Sequence, residues 1–503
     1  MSKKFCIVGL FLVLSLCTTS VWASADRYIV KFQDSKSFSG SHQQVVELKQ
    51  QELNKNLADL EQIVSSFKTL DANKLWLINA VALTADENTL AKIKKMPQVQ
   101  RITKSVYKVY IDKDNDTKPA KHQKGEVEWN VERMKAPQVW KEYGLDGAGV
   151  VVGHLDTGIF AEHPALEGKV LAFKDFTPEA KPEAFDGQGH GTHTAGTIAA
   201  DDGIGVAPGA RLIVARVFDS QGGTTTEILL SAMQWVVDPD GNPETDDGPA
   251  LVSNSWGSNN STDKSFWDVV QSWVDLGVVP VFSAGNNGMW GGKVGTPAAF
   301  PHSWAVAATT SSDSLSYFSS QGPVTWDGNT LMKPDIAGPG SNIVSCSHTG
   351  GVVSKSGTSM SCPGVAGVVA LMYQADPSLT IEQVRLFAEQ TAKDLGAEGK
   401  DGKFGSGLID AYKVVGKVLE NAELTNSYQA YETAVQAEVA LAGGQPVSPL
   451  AEPLAKSIIE RSAELDAGQF RALTIKVNNS CGKAAVKLLK EAASIRTARE
   501  LTK

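Results

Sequence analysis

Cysteine is scarce in this chain, five among 503 residues, and two of them, Cys6 and Cys17, fall in the apolar start. The other three, Cys346, Cys362 and Cys481, are an odd number, so at most one intramolecular disulfide can form and a disulfide-built scaffold is excluded. Cys346 and Cys362 are close enough in sequence to pair, but both equally fit small buried thiols, and spacing alone does not decide. No long lysine or arginine run occurs and the formal net charge is −9, which argues against a nucleic-acid footprint. The apolar run Phe5–Cys17 is short for a membrane span. It follows Lys3 and Lys4 and leads to small residues at Ala23 and Ala25, the three-part form of a secretory signal, so export to the extracellular or periplasmic space with cleavage near Ala25 is expected. Membrane attachment would need lipid on Cys17, and Leu16 sits where a lipoprotein box has a small residue.

With 42% hydrophobic and 20% charged residues the composition is that of a globular protein, and the length implies two to four structural units. From Asp26 to about Tyr110 the pattern is a small α+β unit. "RYIVKF", "LWLINAVALT" and "VQRITKSVYKVY" read as strands, "QVVELKQQELNKNLADLEQIVSSF" as an amphipathic helix, and "DENTLAKIKKM" as a helix capped by Asp86. Residues 111–126, "IDKDNDTKPAKHQKGE", read as a solvated linker. From Val127 to about residue 420, apolar strands ("GVVVGHLD", "ARLIVARVF", "ALVSNSWG", "GVVPVFSAGN", "SWAVAAT") alternate with helical patterns ("TEILLSAMQWVV", "SFWDVVQSWVDLG"). That alternation predicts an α/β domain with a parallel sheet covered on both faces, and ligands in such sheets bind beyond the carboxyl ends of the strands. Residues 421–503 read as a helical C-terminal extension without recognisable chemistry.

Three stretches bring reactive side chains to those ends. Asp156 closes the strand in "VVVGHLDTGI", His190 precedes a helix of small residues in "DGQGHGTHTAGTIAA", and Ser359 opens another in "SGTSMSCPGVAG". Ser359 alone fits an N-cap as well as a nucleophile, with Pro363 tolerated in a first turn. A serine hydroxyl needs a base, and an imidazole base needs a carboxylate to fix its tautomer, which are the three residue types present. Asn286 in "VFSAGNNG" stands where a side-chain amide can donate to a developing oxyanion, and the helix start at Ser359 adds backbone N–H groups for the same charge.

These four blocks, in order over about 270 residues, closely resemble those of the subtilisin-like (subtilase, S8) serine peptidases. The resemblance implies a three-layer parallel-sheet fold, Ser359 as nucleophile, His190 as base, Asp156 as its orienting acid and Asn286 as oxyanion donor, with His193 outside the triad. It also implies a pocket for the residue before the cut bond, lined by Ser255, Trp256 and Gly257 and by Ser283, Ala284 and Gly285, open to apolar side chains unless Trp256 narrows it. "VEWNVERMKAPQVW" and "LVSNSWGS" resemble the bacillopeptidase F branch. Gly364 departs from the family, many members of which have histidine there. The unit from Asp26 to Tyr110 resembles the inhibitory I9-type propeptide, whose terminal strand "SVYKVY" would enter the substrate groove and whose removal would leave a mature chain starting between about Lys108 and Glu128.

The expected partners are protein or peptide substrates and the chain's own propeptide. The chemistry requires no cofactor. "AADDGIGVAPGA" is too short for the calcium loop that often follows the histidine helix, while acidic loops such as "DPDGNPETDDG" leave structural calcium open. The competing reading, a silent relative that only binds peptides, would require the loss of a triad or oxyanion group, and none is missing.

Overall fold

A computed structural model of the chain describes residues 26–34, 42–64, 71–109, 111, 117–245, 247–288 and 291–422. The signal, Cys17, Cys481 and nearly all of the C-terminal extension lie outside the described residues. The chain divides into two compact units, Met1–Lys36 with Gln50–Val106 and Ser37–Lys49 with Tyr107–Lys503.

The first unit carries a four-stranded antiparallel sheet in the order Asn73–Leu75, Ala80–Ala85, Asp26–Phe32, Val99–Lys104. Leu53, Leu57 and Leu60, spaced to share one helix face, meet Val30, Phe32, Val81 and Leu83 in its core. The Asp86 cap holds, its carboxylate accepting from Thr89 N at 2.7 Å. "LWLINAVALT" is not one strand. Trp76–Ile78 form a 3-10 turn that ends at Asn79 with φ 48°, ψ 54°, a left-handed conformation that asparagine tolerates. The Asn79 side chain fixes the turn, accepting from Asn56 Nδ2 at 3.0 Å and donating to Gln33 O at 3.1 Å. "VQRITKSVYKVY" is likewise broken: Val99–Lys104 stays in this sheet, whereas Tyr107–Val109 belongs to the second unit.

The second unit is built on a seven-stranded sheet, every neighbouring pair parallel. Its order is Ile336–Pro339, Trp304–Thr309, Val279–Ser283, Leu251–Asn254, Val151–Asp156, Arg211–Arg216, Val170–Asp175. Helices flank it in a three-layer α/β arrangement. His190–Ala199 and Thr358–Ala375 pack together, and the latter lies over the central strands, buried almost all round because its sequence is small and apolar on every face. Thr226–Trp235 and Trp267–Asp275 make a second helix pair. Pro363 lies inside the long helix rather than in its first turn.

Within the expected linker, residues 117–126 make specific contacts. Lys118–Pro119 join Val353–Ser354 as an antiparallel strand pair, His122 Nδ1 meets Glu128 Oε1 at 2.7 Å, and Asp202 Oδ1 accepts from Gly125 N at 2.7 Å. Cys346 and Cys362 are both free and buried, so of the two readings the thiol one holds. Burial pushes each thiol up to about 12, which keeps it protonated and unreactive. Among the described residues no helix is long and apolar enough to cross a membrane.

Candidate active site

Asp156 is the last residue of a central strand and His190 the first of the helix that packs beside it. His190 Nδ1 lies 2.8 Å from Asp156 Oδ1, both side chains 2% exposed or less. The helix can come this close because residue 191 is glycine: a Cβ there would stand 2.2 Å from the Gly158 carbonyl oxygen. Burial pushes the Asp156 carboxyl up, but the charge and hydrogen bond of His190, with the Thr157 N–H at 2.7 Å, pull it below the usual carboxylate range.

Asp186, which sequence reading passed over, organises the turn into the histidine helix. One carboxylate oxygen accepts from Thr157 Oγ1, Gln188 N and Gly189 N at 2.9, 3.0 and 2.8 Å, and the other from Thr192 N and Oγ1 at 2.8 and 2.6 Å. Asp186 stands four residues ahead of the helix, so the capping rule, which reads the residue just before a helix, does not single it out. Arg216, fully buried, fixes the loop after Asp156 by donating to Thr157 O at 3.2 Å while pairing with Asp175 at 2.7 Å. His193 is bound to the Ile343 carbonyl at 3.0 Å, consistent with its place outside the triad.

Ser359 is the second residue of its helix, and the cap position is Gly357, with no side-chain cap bond. The N-cap reading therefore falls: Ser359 Oγ donates to the Ser255 carbonyl at 3.2 Å instead. Pro363 has no N–H to offer the Ser359 carbonyl four residues back, and Ser255 Oγ donates to that carbonyl at 2.8 Å. Asn286 is held through its carbonyl oxygen, which accepts from Thr358 N and Thr358 Oγ1, each at 2.9 Å. That assignment turns Nδ2 away from Thr358 as a donor. Gly364 has a packing reason, since a Cβ there would meet Met134 Cε at 2.9 Å and Sδ at 3.3 Å. Met134 fills the room a larger side chain would need.

Ser255, Trp256, Gly257, Ser283, Ala284 and Gly285 all line one cleft of about 150 Å³ together with Asn286, Thr358 and Ser359. Trp256 lines this cleft with its ring packed away among aromatic neighbours. Its ring is 2% exposed and packs edge-on against Phe218, Phe266 and Phe282, with centroids 5.5–6.1 Å away. Lys108 also borders the cleft, and its strand Tyr107–Val109 pairs antiparallel with Gly223–Thr225. In the acidic loop, one oxygen each of Asp238, Asp240 and Asp247 come within 4.8 Å of one another, a spacing that exposed acidic groups adopt with or without a cation.

The model of the Subtilase family matches residues 147–407, and that of Peptidase inhibitor I9 matches residues 27–109. Bacillopeptidase F of Bacillus subtilis is 32% identical over 450 residues, 80% of this chain but 31% of that protein, so the chain spans about a third of that relative's length. Subtilisin E of Bacillus subtilis is 32% identical over 339 residues, 66% of this chain and 80% of the relative. Subtilisin Savinase of Lederbergia lenta is 35% identical over 289 residues, 57% and 97% of the two chains. A parallel seven-stranded sheet, the matched blocks at its carboxyl edge and an I9 unit ahead of them lead to one conclusion: the chain belongs to the subtilase family and is a serine endopeptidase with an N-terminal I9 propeptide.

Proposed function

We propose that the chain is an exported, self-processing zymogen that cuts peptide bonds through an acyl-enzyme, with Ser359 as nucleophile, His190 as base, Asp156 as orienting acid and Asn286 as oxyanion donor. The observation that carries this reading is the buried 2.8 Å contact between His190 Nδ1 and Asp156 Oδ1, made at the edge of the sheet where Ser359 and Asn286 also lie. With Nδ1–H committed to the carboxylate, the other ring nitrogen is left as the acceptor for the Ser359 proton. Attack on the scissile carbonyl puts negative charge on its oxygen, where Asn286 Nδ2 and the first-turn N–H groups of the Ser359 helix donate. The imidazolium then protonates the leaving amine, and water repeats the sequence on the ester.

A substrate would extend along Gly223–Thr225 as an added strand, as Tyr107–Val109 does. The small side chains around the cleft suit an open, apolar-tolerant pocket for the residue before the cut bond. We assign 1–25 to the signal, 26–110 to the propeptide, 127–420 to the peptidase and 421–503 to the extension. Because Lys118–Pro119 are paired in the peptidase unit, the maturation cut is expected between Val109 and Lys118.

The test is processing itself. Ser359→Ala should accumulate with Asp26 still attached, while the unaltered chain yields a mature form beginning in that window. Intact-mass measurement of both proteins decides it, and identical N-termini would sink the reading.

A further inference from the structure

His190 holds one oxygen of the Asp156 carboxylate, and two buried residues stand at the other. His154 lies two residues ahead of Asp156 on the same strand, so both side chains face the same way. Its Nε2 is 2.8 Å from Thr194 Oγ1 and 4.0 Å from Asp156 Oδ2. Thr194, in the histidine helix, places Oγ1 3.2 Å from Asp156 Oδ2. His154 is 1% exposed and Thr194 not at all. An apolar interior has no need of either polar group.

The Thr194 hydroxyl has one proton and several acceptors. It is 3.1 Å from the carbonyls of His190 and Gly191, the ordinary outlet for a threonine inside a helix. Which acceptor takes the proton depends on the tautomer of His154, whose Nδ1 is buried and has no hydrogen-bond partner among the described residues. A proton on Nδ1 would be a buried donor with nothing to receive it, and the bare Nε2 would then compete for the Thr194 proton. A proton on Nε2 removes both conflicts, because Nε2–H donates to Oγ1 and leaves the hydroxyl to donate elsewhere. The ionised Asp156 Oδ2 outcompetes neutral helix carbonyls. Burial draws the His154 ring well below the ordinary histidine range; of the charged groups facing it, Asp156 and Asp186 favour a proton and His190 opposes one.

We propose that His154 and Thr194 are positioning residues for the peptidase reaction, a two-link relay in which His154 Nε2–H commits the Thr194 hydroxyl to Asp156 Oδ2 and so fixes the carboxylate that orients His190. The relay rests on the assignment of Asp156 and His190 to the reacting machinery. It does two things: it stops the carboxylate from rotating, and it draws off part of the charge that would otherwise bind the imidazolium too tightly.

Thr194→Val keeps the shape and deletes the donor, while Thr194→Ser keeps the donor. On a chromogenic peptide substrate, Thr194→Val should lower kcat about ten-fold, the size of one hydrogen bond to a charged group, with KM unchanged. The acid limb of its kcat/KM profile should move to higher pH, because a carboxylate with fewer donors holds the imidazolium more strongly. Thr194→Ser should restore both. Unaltered kcat and acid limb in Thr194→Val would overturn the relay. A second measurement needs no variant: nitrogen-15 shifts of His154 in the mature protein should report a neutral ring protonated at Nε2 from about pH 5 to 8, the range histidine switches span. An Nδ1–H tautomer or a charged ring would overturn it. Asp156→Asn separates the levels. If it matures and turns over normally, the triad assignment falls and the relay with it, whereas an inactive Asp156→Asn beside an unaffected Thr194→Val removes the relay alone.

Discussion

Asp156 and Asp335 are equally sealed, 1% and 2% exposed, and burial pushes both carboxyls up while their partners pull both below the ordinary range. Their partners differ in kind. Asp335 accepts from Lys333 Nζ at 2.6 Å, Lys400 Nζ at 3.2 Å, Arg385 Nη2 at 3.4 Å and Ala305 N at 2.8 Å, so three cations surround one anion, although burial draws Lys333 down to about 8. Asp156 has a histidine that can gain or lose a proton, a backbone N–H and a hydroxyl. Over-compensated charge makes an anchor, since Arg385 and Lys400 still face Asp335 when Lys333 gives up its proton. A carboxylate whose only cation is conditional can drive chemistry, since its field acts at the moment His190 becomes charged.

The contrast is broken most severely by removing each charge. Asp156→Asn should cost about 10,000-fold in kcat with little change in denaturation midpoint. Asn286→Ala, on the same side of the comparison, should cost about 100- to 1,000-fold in kcat with KM nearly constant, because the donor bonds the oxyanion more strongly than the ground-state carbonyl. Asp335→Asn should behave in the opposite way, losing about 3–5 kcal/mol of stability in chemical denaturation while turnover per folded molecule is kept. Similar profiles for the two aspartate variants would erase the distinction.

The smallest effect is at the edge of the Asp335 cluster. His302 is packed against Trp267 and Phe300, and burial, then the nearby Lys333 charge, draw it from 6.5 down to about 4. The unfolded chain takes up a proton near pH 6.5 that the folded chain refuses until about pH 4, so stability should fall as pH drops through that window. The loss attributable to His302 is about 3 kcal/mol at the acid end. Urea midpoints at both ends of the window, compared with those of His302→Gln, measure it, and equal slopes would rule it out.

Five of the seven parallel strands were legible as apolar runs, and the two that were not, Val170–Asp175 and Ile336–Pro339, are the two edges of the sheet. The first alternates partly buried and exposed residues, and the second is four residues ending in proline, so neither has the continuous apolar signature of a strand covered on both faces. Asp156, His190, Asn286 and Ser359 could be picked out because each stands within three residues of the end or start of an element and within two of a glycine. Nothing local to "GHLD" or "HGTHTAG" tells which side chains will face each other, so the contact of His154 with Thr194, forty positions apart, is visible only once strand and helix are packed. The same holds for Trp256, whose bulk in "SNSWG" left a narrowing open until its ring was seen packed edge-on against three phenylalanines at the cleft wall.

The two-residue strand Lys118–Pro119 pairs with Val353 and Ser354, and from there the backbone needs only Lys355, Ser356, Gly357 and Thr358 to reach Ser359. The amino end of a mature enzyme is what exopeptidases wear away first. Trimming past Pro119 would strip the hydrogen-bonded edge from the strand that delivers Ser359, so catalytic lifetime in a proteolytic medium would be set at the fraying tip of the chain rather than by melting of its core.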